Sequence, residues 1–264
     1  MFIIQKEIPK PIEYRIVYNY NDDICLEYKN LGMFSPISRK NQSFSPKTKK
    51  TERVKGRKYD RYNLPHDTNA NWEIFGNNIV VTIDDSYDFP QIRAMFEFLK
   101  ENSTTATFFP NTDYINPDNK EHVRLWREIY DSGYEIGYHT TDHHRKKSVR
   151  VLEEDFSQFT EKMRGILNDY NFTIKVVRAP YGYFDTVWMR WVEENNLLNV
   201  RWTITDNEDG NYLRELYSKG KGRVLLLHNK EGDVEWLRNH IDEFKQISKE
   251  KGGKLGCIYD SIVR

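Results

Sequence analysis

The stretch Ile79-Val80-Val81-Thr82-Ile83-Asp84-Asp85 decides how this chain is read. Its run of β-branched side chains suits a strand covered on both faces, and two carboxylates emerge as soon as the run stops. Other short runs of the same kind occur at Thr105 to Phe109, Tyr134 to Tyr138, Phe172 to Val177, Val200 to Ile204, Val224 to Leu227 and Lys254 to Tyr259, giving seven predicted strands. Between them lie segments with helical spacing. The clearest is Ser148 to Leu167, where Val149, Leu152, Phe156, Phe159, Met163 and Ile166 recur at three- and four-residue intervals behind an N-capping serine. Further helices are predicted at Phe89 to Lys100 after Asp88, Lys120 to Tyr130, Val187 to Glu194, Tyr212 to Tyr217 and Val234 to Lys249. Alternating strands and helices imply an α/β fold with a parallel sheet, closed as a barrel.

In β/α barrels the reactive groups sit on loops after the C-terminal strand ends. Five motifs fall at such ends here: Thr82-Ile83-Asp84-Asp85, His139-Thr140-Thr141-Asp142-His143, Arg178-Ala179-Pro180-Tyr181-Gly182, Asp206-Asn207-Glu208-Asp209 and Leu226-Leu227-His228. An Asp pair after a strand is ordinarily a turn or a cap, and a His pair four apart is ordinarily surface or core. Together they change the reading. His139 and His143, if the segment turns helically, bring two imidazoles to one cation, and one aspartate completes a three-ligand set with an open position for water. Asp84 then stands beside the ligands as a candidate base, and His228 as a candidate acid. Arg178, placed before the turn that Pro180 fixes, could hold Asp84 ionised, while Asp206 and Asp209 could orient His228. The plain alternatives are a structural ion pair, loop composition and a strand-end histidine. Together the motifs describe a metal-dependent hydrolase.

Composition bounds the rest. The chain has 264 residues, enough for one barrel of roughly 200 to 250 residues. Forty basic side chains balance forty acidic ones, so net charge gives no reason to expect nucleic acid or a membrane surface as partner. No apolar run approaches the ~20 residues of a membrane helix. Met1-Phe2-Ile3-Ile4 is too short for a signal peptide's apolar region of about 7 to 15 residues, which leaves a place inside the cell, or an envelope or extracellular place after signal removal, both open. Cys25 and Cys257 are read as thiols rather than a disulfide framework or thiolate site. Residues 1–76 differ from the rest of the chain: Ile12 to Tyr20 and Ile24 to Lys29 suggest a β-hairpin around Asn21-Asp22-Asp23. Arg39 to Arg61 then carries ten basic against two acidic residues, a solvated linker or a contact for an anionic polymer.

These motifs, in this order, resemble the polysaccharide deacetylases of carbohydrate esterase family 4, the NodB-homology domain, over roughly Ile79 to Tyr259. The resemblance implies an irregular (β/α)7 barrel, a distorted TIM-barrel-like fold, with 77–264 as catalytic domain behind an N-terminal β-hairpin extension. It implies hydrolysis of N-acetyl or O-acetyl groups on a peptidoglycan, chitin-like or oligosaccharide substrate. The cofactor implied is a divalent metal, commonly zinc, with Co2+, Ni2+ or Mn2+ as alternatives. On that resemblance Asp84 is the base, Asp85, His139 and His143 are the ligands, and Arg178 steadies Asp84. His228 is the acid, tuned by Asp209; the Tyr181 backbone N–H helps hold the oxyanion and Leu226 lines the acetyl pocket. Three positions depart from the pattern: Ser86 replaces a glycine, Asn229 an aspartate, and Gly210 a tryptophan wall that Tyr212 or Trp202 would have to supply. Two other readings remain, an amidohydrolase for a small non-sugar amide and a metal-containing carbohydrate-binding protein without turnover.

Overall fold

In this computed structural model, residues 72–263 are described in full, together with the backbone of two N-terminal strands, and the chain divides into compact units at Thr51 and Glu52. In the first unit β1 (Tyr14–Tyr18) pairs antiparallel with β2 (Ile24–Tyr28), Tyr14 facing Tyr28 and Tyr18 facing Ile24. The expected turn at 21–23 and the basic run 39–61 lie outside the described residues.

The second unit is built around β3 (Ile79–Asp84). It pairs in parallel with β4 (Thr107–Phe109) on one side and β8 (Val224–His228) on the other, while β9 (Leu255–Gly256) joins its start. Next to β4 lies β5 (Glu135–Ile136), and a separate parallel pair is formed by β6 (Val176–Val177) and β7 (Leu198–Asn199). Single bridges, Tyr138 to Val177 and Ile204 to Leu225, link the two sheets.

Alternation along the strands sorts the core into two clusters. Ile79, Val81, Ile83, Leu225 and Leu227 pack with the helices, whereas Val80 and Val224 join Phe109, Val176, Leu198 and Val200 on the other face. Thr82, Asp84, Leu226 and His228 follow Val80 and Val224 by twos, so Asp84 and His228 end in register beyond the second cluster. Fully burying one such aliphatic or aromatic side chain is worth about 1.5–3 kcal/mol, and these two layers fix the strand ends that carry charge.

The helices begin where their caps dictate. They are α1 (Phe89–Glu101), α2 (Lys120–Asp131), α3 (Val149–Leu167), α4 (Thr186–Glu194), α5 (Gly210–Ser218), α6 (Glu231–Glu250) and a last turn, α7 (Ile258–Ser261). Asp88, Asn119, Ser148, Asp185 and Asp209 each accept a backbone N–H of the first turn. Among the described residues no helix is long and apolar enough to cross a membrane.

Phe172 to Val177 and Tyr134 to Tyr138 form strands only at Val176–Val177 and Glu135–Ile136, and two further runs differ from the sequence reading more sharply. The run Val200 to Ile204 is not a strand; β7 lies earlier, because Thr203 Oγ1 accepts the Val224 N–H (3.1 Å) and donates to the Gly222 carbonyl (2.8 Å). The run Lys254 to Tyr259 stops at Gly256, because the Cys257 and Ile258 N–H groups donate to Thr105 Oγ1 and Thr107 Oγ1 (3.1 and 2.9 Å). Side-chain acceptors outcompete the ladder at both places. Gly137 is a glycine of close approach: a Cβ there would stand 2.3 Å from the Phe109 ring.

Candidate active site

Asp84 ends β3 almost fully buried, and Oδ1 accepts a hydrogen bond from Arg178 Nη1 at 2.7 Å. The same Nη1 donates to Thr82 Oγ1 (2.8 Å), and Nε donates to the Val200 carbonyl (2.9 Å). The guanidinium lies over Phe109 (4.6 Å) and Trp202 (5.6 Å). Its complete burial works to lower its pKa, and Asp84 is the charge that opposes this. Burial in apolar surroundings with one carboxylate partner makes Arg178 and Asp84 a mutually dependent pair.

Asp85 departs from plain strand alternation: its φ of 72° is left-handed, which turns the residue off the ladder while Phe109 still accepts its N–H (3.0 Å). Asp85 Oδ1 stands 3.5 Å from His143 Nε2 and 3.8 Å from His139 Nε2. The histidines do not ride on a helix as the spacing suggested. The segment after β5 is a loop in which Thr140 (φ 64°) and His143 (φ 60°) are left-handed, and that path brings the rings to 4.9 Å. Of the seven non-glycine residues with positive φ among the described residues, Asp85, Thr140, His143 and Tyr181 belong to the site, while Ser103, Asn168 and Asn196 follow helix C-termini. Such strain costs about 1–3 kcal/mol per residue and persists only where the surroundings impose it.

His139 Nδ1 is 2.8 Å from the Arg178 carbonyl, an acceptor only, so Nδ1 carries the proton and Nε2 offers a lone pair. Burial, then the neighbouring His139, pushes His143 below the usual imidazole range and keeps it a neutral donor. Asp85 Oδ1 is buried without a hydrogen bond, and the candidate donor atoms of Asp85, His139 and His143 lie within 4.8 Å of one another. An orphaned carboxylate oxygen facing two imidazole lone pairs fits a divalent cation. The donor set fits the group the motifs imply.

His228 ends β8 opposite Asp84 in the ladder. Its partner is Asp233 in the first turn of α6, which accepts the His228 backbone N–H and lies 3.4 Å from Nδ1. Asp233 raises the His228 pKa above the ordinary value, against burial, and Asp84 and Asp85 add to the rise. This corrects the assignment of Asp209. Asp209 is an exposed N-cap whose carboxylate accepts the Asn211 and Tyr212 N–H groups, and Asp206 is exposed as well. Gly210 is no pocket wall either: it packs on α6, where a Cβ would stand 2.0 Å from Glu243. Tyr212 packs with the helices, whereas Trp202 lies beneath Arg178 and a Cβ on Gly182 (φ +65°) would stand 2.5 Å from its ring.

Tyr181 (φ 57°) sits in the Pro180–Gly182 turn with its ring 4.4 Å from His143, and its N–H has no acceptor among the described residues. Leu226 lies on the face of β8 that carries His228. Ser86 does more than fill a turn. It donates to the Asn111 carbonyl (2.6 Å) and accepts the Asn111 N–H (3.0 Å), and the Asn111 amide donates to the His139 and Thr140 carbonyls (2.7 and 3.3 Å). Ser86, Asn111 and Asp233 were not named as site residues by sequence reasoning. Asn229 is buried with both side-chain polar atoms unpartnered among the described residues, and nothing in the structure explains it.

Parallel strands thus end in carboxylates, imidazoles and a buried arginine, with three candidate cation donors brought together. Residues 76–200 match the polysaccharide deacetylase family. The chain is 26% identical over 194 residues to a peptidoglycan-N-acetylglucosamine deacetylase of Bacillus cereus, covering 67% of this chain and 65% of that protein. It is 29% identical over 162 residues to a chitooligosaccharide deacetylase of Azorhizobium caulinodans, covering 58% and 74%. A carbohydrate esterase family 4 pseudoenzyme from Bacillus anthracis shares the fold with a TM-score of 0.55 at 20% identity, covering 70% of this chain and 64% of that one. The chain is thus similar, over its strand-and-helix unit, to polysaccharide deacetylases.

Proposed function

We propose that the chain removes acetyl groups from N-acetylated sugars of a peptidoglycan or chitin-like chain, with O-acetyl groups as a second target. The observation that carries this reading is the register of Asp84 against His228 on neighbouring strands, a carboxylate and an imidazole beside one donor set. Asp85, His139 and His143 would hold a divalent cation, zinc by the chemistry of two imidazoles and a carboxylate. Bound there, the cation supplies Lewis-acid polarisation and lowers the pKa of water at the site to about 7.

The chain's own residues do the rest. Asp84, aimed by Arg178, whose Nη1 also donates to Thr82, accepts the proton of the attacking water. The unpartnered Tyr181 N–H donates to the carbonyl oxygen as negative charge builds on it. His228, kept protonated by Asp233, gives its proton to the leaving amine, so amide and water become amine and acetate. Leu226, with Trp202 in place of a wall at position 210, borders the acetyl methyl. The ladders and bridges are read as an irregular (β/α)7 barrel, with 77–264 as catalytic domain and 1–76 as an extension.

The neighbour described as a pseudoenzyme makes a carbohydrate-binding protein without turnover the second reading. Binding alone does not call for Asp84, Arg178 and His228 beside three donors, which favours turnover. Acetate release from N-acetylated chito-oligosaccharides, with and without a chelator, tests the proposal. Release that stops with chelator and returns with zinc supports it. Release unaffected by chelator removes the cation from the reading, turnover of small amides alone moves it to the amidohydrolase, and absence of both leaves the binding protein.

A further inference from the structure

We propose that Asp155 is a positioning residue that sets the affinity of the Asp85, His139 and His143 donors for their cation by fixing the path of the loop between them. The inference rests on reading those three residues as a cation site. That loop has no regular secondary structure and passes through two left-handed residues, Thr140 and His143, the first of them β-branched. A path of this kind holds only where contacts over-determine it.

Asp155 supplies them. It lies in α3, buried, at the position three after Leu152 and four before Phe159, on the stripe that otherwise faces the core. Its Oδ1 accepts the Tyr138 hydroxyl (2.6 Å) and the Thr141 N–H (3.0 Å). Its Oδ2 accepts the Thr141 hydroxyl (2.7 Å) and lies 2.8 Å from Lys146 Nζ. One carboxylate thus gathers donors from before His139, between the two histidines and after His143. A buried charge with four donors is well satisfied, and it touches neither imidazole. It acts through the backbone that carries both rings. Asn111 holds the same loop at the His139 and Thr140 carbonyls, so loss of Asp155 loosens the path without freeing it altogether.

The test is zinc affinity of the metal-stripped full chain, measured by competition with a chromophoric chelator. Asp155→Asn puts a donor where the Thr141 hydroxyl and Lys146 need an acceptor. It should bind zinc about 10- to 100-fold more weakly, the usual effect of losing a group that supports metal ligands, yet reach the wild-type zinc content at excess zinc. Thr141→Val keeps the N–H contact and removes only the hydroxyl, so a smaller weakening in the same direction is expected. Wild-type affinity in both variants overturns the proposal, as does a lowered melting temperature of the metal-free variant with unchanged zinc affinity, which would make Asp155 a residue of the fold alone. If Asp155→Asn does not fold, Thr141→Val decides by itself. A wild-type chain that binds no zinc removes the cation site and this inference together, whereas zinc binding unchanged by the variants removes this inference only.

Discussion

Removing either member of the Arg178–Asp84 pair should cost stability as well as activity, and removing both should cost less than the sum. The two are joined at 2.7 Å with side-chain exposures of 1% and 5%, so water cannot compensate the charge left behind. Breaking a buried pair on one side costs about 3–5 kcal/mol. At about 2–4 °C per kcal/mol for a domain of this size, Arg178→Met and Asp84→Asn should each lower the melting temperature by roughly 6–20 °C. The double variant buries no unmatched charge, and a coupling of about 0.5–3 kcal/mol should return part of the loss. Thermal unfolding of the metal-free proteins reads the cycle, and acetate release reads the chemistry, which should be absent from the double variant however stable it is. Additive losses would refute the claim that the pair is mutually dependent. A double variant that regains turnover would refute the role given to Asp84.

With protonated His228 as the proposed proton donor, Asp233→Asn should move the alkaline limb of kcat/KM to lower pH. Asp233 raises the His228 pKa, and its removal withdraws that support; Asp209→Asn, which alters only a helix cap, should leave the limb in place. The reverse pattern would restore the sequence-based assignment. His139→Ala and His143→Ala should each lose bound zinc by metal analysis, and stoichiometric zinc in both would place the cation elsewhere.

The element order was legible because the signals are local and strong. Asp88, Ser148 and a three-four apolar rhythm mark helix starts and inner faces without any tertiary information. The lack of a strand over Val200 to Ile204 and the strand end at Gly256 were not legible, since threonine hydroxyls from distant segments take the N–H groups that a ladder would have used. The histidine spacing pointed to a pair but to the wrong backbone: a left-handed loop, not a helix, brings the rings together. Asp233 was missed because it reads as an ordinary acidic residue in a first helical turn, although its place five residues after a strand-end histidine was a usable sign. Asp155 had a plainer one, a charge on the apolar stripe of an amphipathic helix.

The central claim is that Asp85, His139 and His143 hold a cation while the adjacent Asp84 moves a proton. Metal content and acetate release, measured together on the same preparations of wild type and Asp84→Asn, test it most directly. The account predicts one divalent ion per chain in both, with the variant's turnover on N-acetylated chito-oligosaccharides reduced by about 10²–10⁴ or more. A variant that loses its metal but turns over normally once excess metal is supplied, or a wild type that releases acetate with no metal bound, would contradict it.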